Sequence, residues 1–392
     1  MTITKKVVYL VMLMLAVACT ESKNVNDKIM EKIFLTEYEQ KMISSGDNIP
    51  AIYLPSDSLD KLLIALHYNI QPVDFQKYAG WSDSLLNSNI ILLKSFGFLQ
   101  EKDGILEPFV MILSESEAVR MRALSTDIVS ETKRIIKLYS DKIVSRTQSI
   151  ESLKNHNFDD ISLLIMSNVI LDNWQIRNIE KEFIGRSRTE RHGKQYYLSF
   201  QEKRKDDTEA LGIYGNQMKS YGDYYVGLYG NRRENMNFVT LSKSELEEIF
   251  DLSDKKHKDV KAIKAELLDQ FYSVQTGKAE FKISEQSGFE LLGMLRNKSS
   301  AIPVFTESEY EELFEVAEII KQPLVSLLKN NKAKLKEHFE LSEYSSEITF
   351  EEYLIWWYHI YYTEVTDHLI QENIIQLPDA YNAMYIIKKD SN

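Results

Sequence analysis

The stretch LLNSNIILLKSFGFLQEKDGILEPFVMILSESEA, residues 85–118, carries the reading of the fold. From Leu85 to Phe96 the apolar residues recur at helical spacing, and Gly97 ends the run. Asp103-Gly104 between apolar segments signals a hairpin, and the extended pattern continues through Pro108-Phe109-Val110-Met111-Ile112. Ser114-Glu115-Ser116-Glu117 then caps a new helix. Helix, hairpin and capped helix in that order predict a winged-helix-like unit.

Upstream, Ser56-Asp57-Ser58 caps a helix carrying Leu59, Leu62, Leu63 and Leu66, after a short extended stretch at Ala51-Ile52-Tyr53-Leu54. Gly46-Asp47-Asn48-Ile49-Pro50 is a break. Before it, Ile33, Phe34, Tyr38 and Met42 predict a helix over 31–42. Downstream, long helices are predicted across 115–143 and 158–182. The centre changes character: Tyr196 to Phe200, Leu211 to Asn216 and Tyr224 to Tyr229 are short, aromatic and glycine-punctuated, and predict an antiparallel meander. The pentads Gly212-Ile213-Tyr214-Gly215-Asn216 and Gly227-Leu228-Tyr229-Gly230-Asn231 repeat there, with Gly-Asn read as turns. After Asn231 the helical pattern returns and runs to about Leu377.

The two helical regions echo one another. Phe158-Asp159-Asp160 and Phe350-Glu351-Glu352, 192 residues apart, each open an apolar helix. The same offset relates Ser114-Glu115-Ser116-Glu117 to Thr306-Glu307-Ser308-Glu309. Two landmarks held at one offset predict a tandem duplication. The fold class expected is therefore mainly α with a small antiparallel β component (α+β), built from a duplicated winged-helix-like unit. The spans are a signal at 1–18, a tether and first helix at 19–45, helical units at 46–182 and 233–378, the Tyr/Gly-rich meander at 183–232, and a C-terminal tail at 379–392.

Lys5 and Lys6 precede an apolar run from Val7 to Ala18, and Ala16-Val17-Ala18-Cys19 closes it. Twelve residues are too few to span a bilayer, which takes about 20, but they suit a signal-peptide core. Residues 1–23 resemble a bacterial lipoprotein precursor, although the position three before the cysteine is Ala16 where leucine is usual. The resemblance implies cleavage between Ala18 and Cys19, lipidation of Cys19, and a protein held to a membrane on the periplasmic side or at the cell surface. The rival reading cuts the same bond and leaves Cys19 unmodified.

Cys19 is the one cysteine, so neither an intramolecular disulfide nor a cysteine-based zinc site can form. The formal charge is −12, and −14 without residues 1–18. A body this acidic repels phosphate backbones, which argues against nucleic-acid partners.

No nucleophile elbow, P-loop or dinucleotide-binding glycine pattern occurs, so no cofactor is expected and the reading leans away from an enzyme. Tyr196, Tyr197, Tyr214, Tyr221, Tyr224, Tyr225 and Tyr229 would give one aromatic face on alternate strand positions, fit for a protein or glycan partner, with Arg188 and Arg191 beside it. His359, Glu364, Asp367 and His368 share a predicted helix, but their spacing is not that of a metal motif, and no metal is expected. Trp356-Trp357-Tyr358 reads as core. The expected role is a lipid-anchored binding protein of the cell envelope. One alternative is an envelope-polymer hydrolase using acidic residues such as Asp159, Asp160 and Asp172 in a cleft between the two helical units; another is a periplasmic immunity protein.

Overall fold

Each of the two longest helices starts where a hydroxyl side chain meets a glutamate three residues on. Ser114 Oγ accepts from the Glu117 amide at 3.2 Å at the start of one. At the other, Thr306 Oγ1 accepts from the Glu309 amide at 3.2 Å while Glu309 Oε2 accepts from the Thr306 amide at 2.8 Å. Such caps satisfy amides the helix leaves unpaired and contribute about 1 kcal/mol each.

The computed structural model describes residues 25–44, 48–185, 187–203, 210–252, 258–297 and 299–390. The Ala16 to Cys19 segment, with Ala18 and Cys19, lies outside them. In chain order the elements begin with α1 (residues 25–35), β1 (Tyr38–Ile43), α2 (Leu59–His67), α3 (Pro72–Ala79) and α4 (Asp83–Ser95). A hairpin of β2 (Leu99–Lys102) and β3 (Ile105–Pro108) leads to β4 (Met111–Leu113), α5 (Glu115–Gln148), α6 (Phe158–Leu163) and α7 (Gln175–Phe183). Short strands β5 (Glu190–Arg191) and β6 (Lys194–Gln195) precede β7 (Tyr197–Glu202), β8 (Gly215–Tyr221) and β9 (Tyr224–Gly230). Then come α8 (Lys243–Phe250), α9 (Val260–Gln275), α10 (Ile283–Leu291), β10 (Leu295–Arg296), β11 (Ser299–Ser300), β12 (Val304–Thr306), α11 (Glu307–Glu340), α12 (Phe350–Gln371) and β13 (Asn382–Lys388). With 54% of the chain helical and only small sheets, the fold is mainly α with a minor β component.

The chain forms two compact units. Unit 1 takes the described part of Met1–Glu117 with Ser187–Lys203 and Lys336–Tyr353. Its sheet has the order β1-β7-β4, with β1 antiparallel and β4 parallel to the central β7. Leu198 and Phe200 of β7 and Ile112 of β4 pack with Leu59, Leu62, Leu63, Phe75, Leu93 and Phe98 from the helices and hairpin.

Unit 2 takes Ala118–Arg186, Arg204–Leu335 and Leu354–Asn392. Its sheet has the order β12-β13-β9-β8, with β13 parallel to β12 and antiparallel to β9. Tyr224, Val226, Leu228, Met384 and Ile386 face α8 to α10 and join Phe250, Leu267, Phe271 and Phe289 in one core. Trp356, Trp357 and Tyr358 of α12 are buried.

Four details differ from the sequence reading. The helix near the N-terminus covers 25–35, and Tyr38 and Met42 belong instead to β1, drawn out of the helix by pairing with β7. The predicted meander is divided: β7 joins the sheet of unit 1, and β8 and β9 that of unit 2. The C-terminal stretch read as a tail contains β13, an interior strand of its sheet. The pentad glycines Gly215, Gly227 and Gly230 are not turn residues. The β8–β9 turn uses Gly222 at φ +53°, and a Cβ on Gly227 would sit 2.0 Å from Cζ of Tyr385. Gly227 is there for close approach by a ring, not for a left-handed backbone.

Candidate functional site

The first turn of α6 carries Asp159 and Asp160, and Asn157 caps it by accepting from the Asp159 amide. Within unit 2 these residues form one wall of a cleft of about 830 Å³. The end of α10 with Gly293 to Arg296, the segment Ala301-Ile302-Pro303 entering β12, and the segment Gln376 to Ala380 entering β13 complete it. Ile161, Leu164, Leu228, Ile302 and Met384 give it apolar surface. Met236 and Leu291, both more than half exposed, stand at its mouth.

Among the described residues its charged groups are Asp159, Asp160, Glu290 and Asp379 against a single cation, Arg296. Four acids to one base far exceeds the 59 to 47 of the whole chain. Arg296 Nη1 donates to Asp160 Oδ1 at 2.6 Å, so that cation is already engaged. No aromatic ring lines the cleft among the described residues.

Beyond α6 the helix widens into a π-turn over Leu164–Val169, and the Asp172 amide donates to Ser167 O at 3.0 Å. That widening turns polar side chains inward, a feature often found near functional sites. Ser167 Oγ shares hydrogen bonds with Tyr229 Oη at 2.7 Å and Thr366 Oγ1 at 2.6 Å. Tyr362 donates to Tyr214 O at 2.7 Å, and Tyr385 donates to Asn216 Oδ1 at 3.0 Å. Asp172 lies within this network, 3.9 Å from His359 Nε2. Burial pushes its carboxyl up to about 7, against the opposing pull of the Tyr362 hydrogen bond and the Arg233 charge.

Unit 1 holds a different polar group. Arg191 and Glu352 have fully buried side chains, Nη2 to Oε2 at 3.6 Å. Arg191 Nη1 donates to Gly97 O, and Thr189 Oγ1 donates to Glu352 Oε2 at 3.1 Å. The guanidinium also lies over the rings of Phe109 (4.9 Å) and Phe98 (5.8 Å).

The aromatic face expected from the tyrosines is not a surface. Tyr196, Tyr197, Tyr214, Tyr221, Tyr224 and Tyr229 are at most 5% exposed, as is Arg191. Both faces of β9 are covered, and the hydroxyls find internal partners: Tyr224 with Asp269 at 2.9 Å, Tyr214 with Asp367 at 3.1 Å. Tyr225 keeps partial exposure with Lys389 over its ring at 4.5 Å, and Arg188 is also half-buried. Of the three acids considered for hydrolysis, Asp159 and Asp160 line the cleft and Asp172 does not. Glu364 pairs with Arg122 at 2.9 Å. Among the described residues no group of three or more His, Cys, Asp or Glu could hold a metal, and no helix is long and apolar enough to cross a membrane. The apolar lining escaped sequence reading because separate segments supply it; the acidic pair opening α6 was the one local signal.

Compared with protein-family models, curated proteins and solved structures, the chain matches none of them.

Proposed function

We propose that the chain is an exported protein, anchored to a bacterial membrane through a lipidated Cys19, that works by binding a partner in the cleft of unit 2. The export and anchoring half rests on the apolar run closed by Ala16-Val17-Ala18-Cys19. The binding half rests on one observation, an open cleft of about 830 Å³ with an apolar floor and an acidic rim. That size falls in the range of ligand sites, roughly 300–1,000 Å³.

The tandem duplication belongs to the same proposal. Three helices, a hairpin, a short strand, a 34-residue helix, a further helix and a closing strand recur in that order, the first run carrying α7 and the β5–β6 pair in addition before its closing strand. In each sheet the closing strand runs parallel to the short strand before the long helix.

Two experiments test the proposal. Cys19→Ala should move the protein from the membrane to the soluble fraction, and retention at the membrane refutes lipid anchoring. Recovery from detergent-solubilised envelope should yield a stoichiometric partner with the natural chain and none with Met236→Glu/Leu291→Glu. Equal recovery by both places binding elsewhere.

Asp159 and Asp160 on the cleft wall also keep the hydrolase reading in view. That chemistry takes an acid and a base about 5–10 Å apart, whereas Asp160 is ion-paired to Arg296. Release of soluble fragments from purified envelope polymer, abolished by Asp159→Asn, would replace binding by hydrolysis.

A further inference from the structure

The cleft of unit 2 has a counterpart in unit 1 that the chain itself fills. Asp160 and Glu352 hold the same place in Phe158-Asp159-Asp160 and Phe350-Glu351-Glu352, each in the first turn of its helix. Each faces the end of a third helix and the hairpin after it. There the backbones match bond for bond: Phe98 N donates to Leu93 O at 2.9 Å, and Met294 N to Phe289 O at 2.9 Å. Phe109 N donates to Phe98 O at 2.8 Å, and Ala301 N to Met294 O at 3.0 Å. Gly97 and Gly293, at φ +72° and +67°, occupy the same turn.

The occupants differ. In unit 1 Arg191 arrives from the segment that precedes β7, bonds Gly97 O, faces Glu352 and lies over Phe109. A Cβ on Gly97 would touch Arg191 at 3.6 Å, whereas a Cβ on Gly293 would meet nothing within 4 Å. The corresponding segment in unit 2, Gln376 to Ala380, carries no cation, and Ala301 stands where unit 1 has Phe109. The site in unit 2 thus has the carboxylate and the glycine turn, more room, and no buried guanidinium from the segment entering its closing strand; the guanidinium that meets Asp160, at 2.6 Å, is that of Arg296 in β10, whose side chain is 65% exposed.

We infer that the cleft receives a cationic side chain, arginine before lysine, from an apolar peptide segment of a partner protein. This rests on the binding role proposed above and names the chemistry of that site. Asp160 would receive the cation as Glu352 receives Arg191, with Arg296 as the internal competitor that the ligand displaces. Asp159, Glu290 and Asp379 add attraction, and Leu164, Leu228, Ile302 and Met384 take the flanking apolar side chains. A guanidinium is favoured because its planar fork can serve a carboxylate and a carbonyl together.

The test uses the full chain in detergent micelles and a fluorescent peptide, Leu-Ile-Arg-Ile-Leu, followed by anisotropy. Its citrulline analogue has the same shape without the charge and should bind at least about tenfold more weakly. Asp160→Asn should abolish that preference. Arg296→Met should tighten the arginine peptide several-fold, because it removes the competitor, and a merely structural role for Arg296 would not produce that gain. Equal binding of both peptides, no binding of either, or an unchanged affinity in Arg296→Met overturns the inference. If neither peptide binds while the envelope partner still depends on Met236 and Leu291, the cationic chemistry falls and the binding role stands.

Discussion

Replacing Arg191 by methionine removes the cation that neutralises Glu352 and leaves a carboxylate in a fully buried place. Stranding one member of a buried ion pair costs about 3–5 kcal/mol. Glu352→Met strands the guanidinium instead, but Gly97 O and the rings of Phe109 and Phe98 remain beside it. Cation–ring contacts of this kind retain about 0.5–2 kcal/mol, so Glu352→Met should cost less than Arg191→Met. The double variant buries no charge, and apolar replacement of a whole pair is often neutral. It should therefore lie within about 2 kcal/mol of the natural protein, although the single costs sum to about 4 or more. Urea unfolding followed by circular dichroism gives all four corners of the cycle. Single costs that add within about 0.5 kcal/mol would show the two residues uncoupled and refute the reasoning.

Three further outcomes follow from the same geometry. Asp172 holds its proton up to about pH 7 when folded, whereas the unfolded carboxyl ionises near 3.8. The folded form thus binds the extra proton between those values, so this group's contribution to stability falls as pH rises from about 4 to 7 and is level above. Asp172→Asn does not titrate, and its stability relative to the natural protein should rise across that window by up to about 4 kcal/mol; a pH-independent difference contradicts the assignment. Gly227→Ala drives a Cβ to 2.0 Å from the Tyr385 ring, and should cost about 3 kcal/mol or more in thermal unfolding, partly recovered by Tyr385→Leu but not by Tyr385→Phe. Ending the chain at Tyr381 removes β13 and should abolish the cooperative unfolding of unit 2; an unchanged transition would mean the strand is dispensable.

Local signals were legible and long-range pairing was not. The caps at Ser114 and Thr306 were readable because donor, acceptor and helix lie within four residues. Tyr38 and Met42 fitted a helical stripe equally well, and what claims them is a strand 155 residues and more further along the chain. The run Ala383-Met384-Tyr385-Ile386-Ile387 is as apolar as any strand, yet it is short and terminal, and the sequence does not display its partners β9 and β12. The tyrosines misled for a related reason. Alternation predicts one covered and one open face, but β9 is covered on both, by Phe271 and its neighbours on one side and by Ser167 and Tyr385 on the other.

The position of the cleft follows from strand direction. Two parallel strands must be entered from the same end, so their leading segments arrive side by side, and each then needs a long crossover to return. β12 and β13 are such a pair, led in by Ala301-Ile302-Pro303 and by Gln376 to Ala380, with α11 and α12 as the crossover. β4 and β7 are another, led in by Phe109-Val110 and by the segment holding Arg191. The topology therefore opens a gap beside each pair, and a chain evolving only for stability would close both with its own side chains. Unit 1 closes its gap with a guanidinium set against Glu352 and two phenylalanines. Unit 2 keeps alanine, glycine and carboxylates around its gap and leaves apolar Met236 and Leu291 exposed at the rim. Exposed apolar side chains beside carboxylates that outnumber the bases near them gain little for folding, which is why the open gap is the better place to look for a partner.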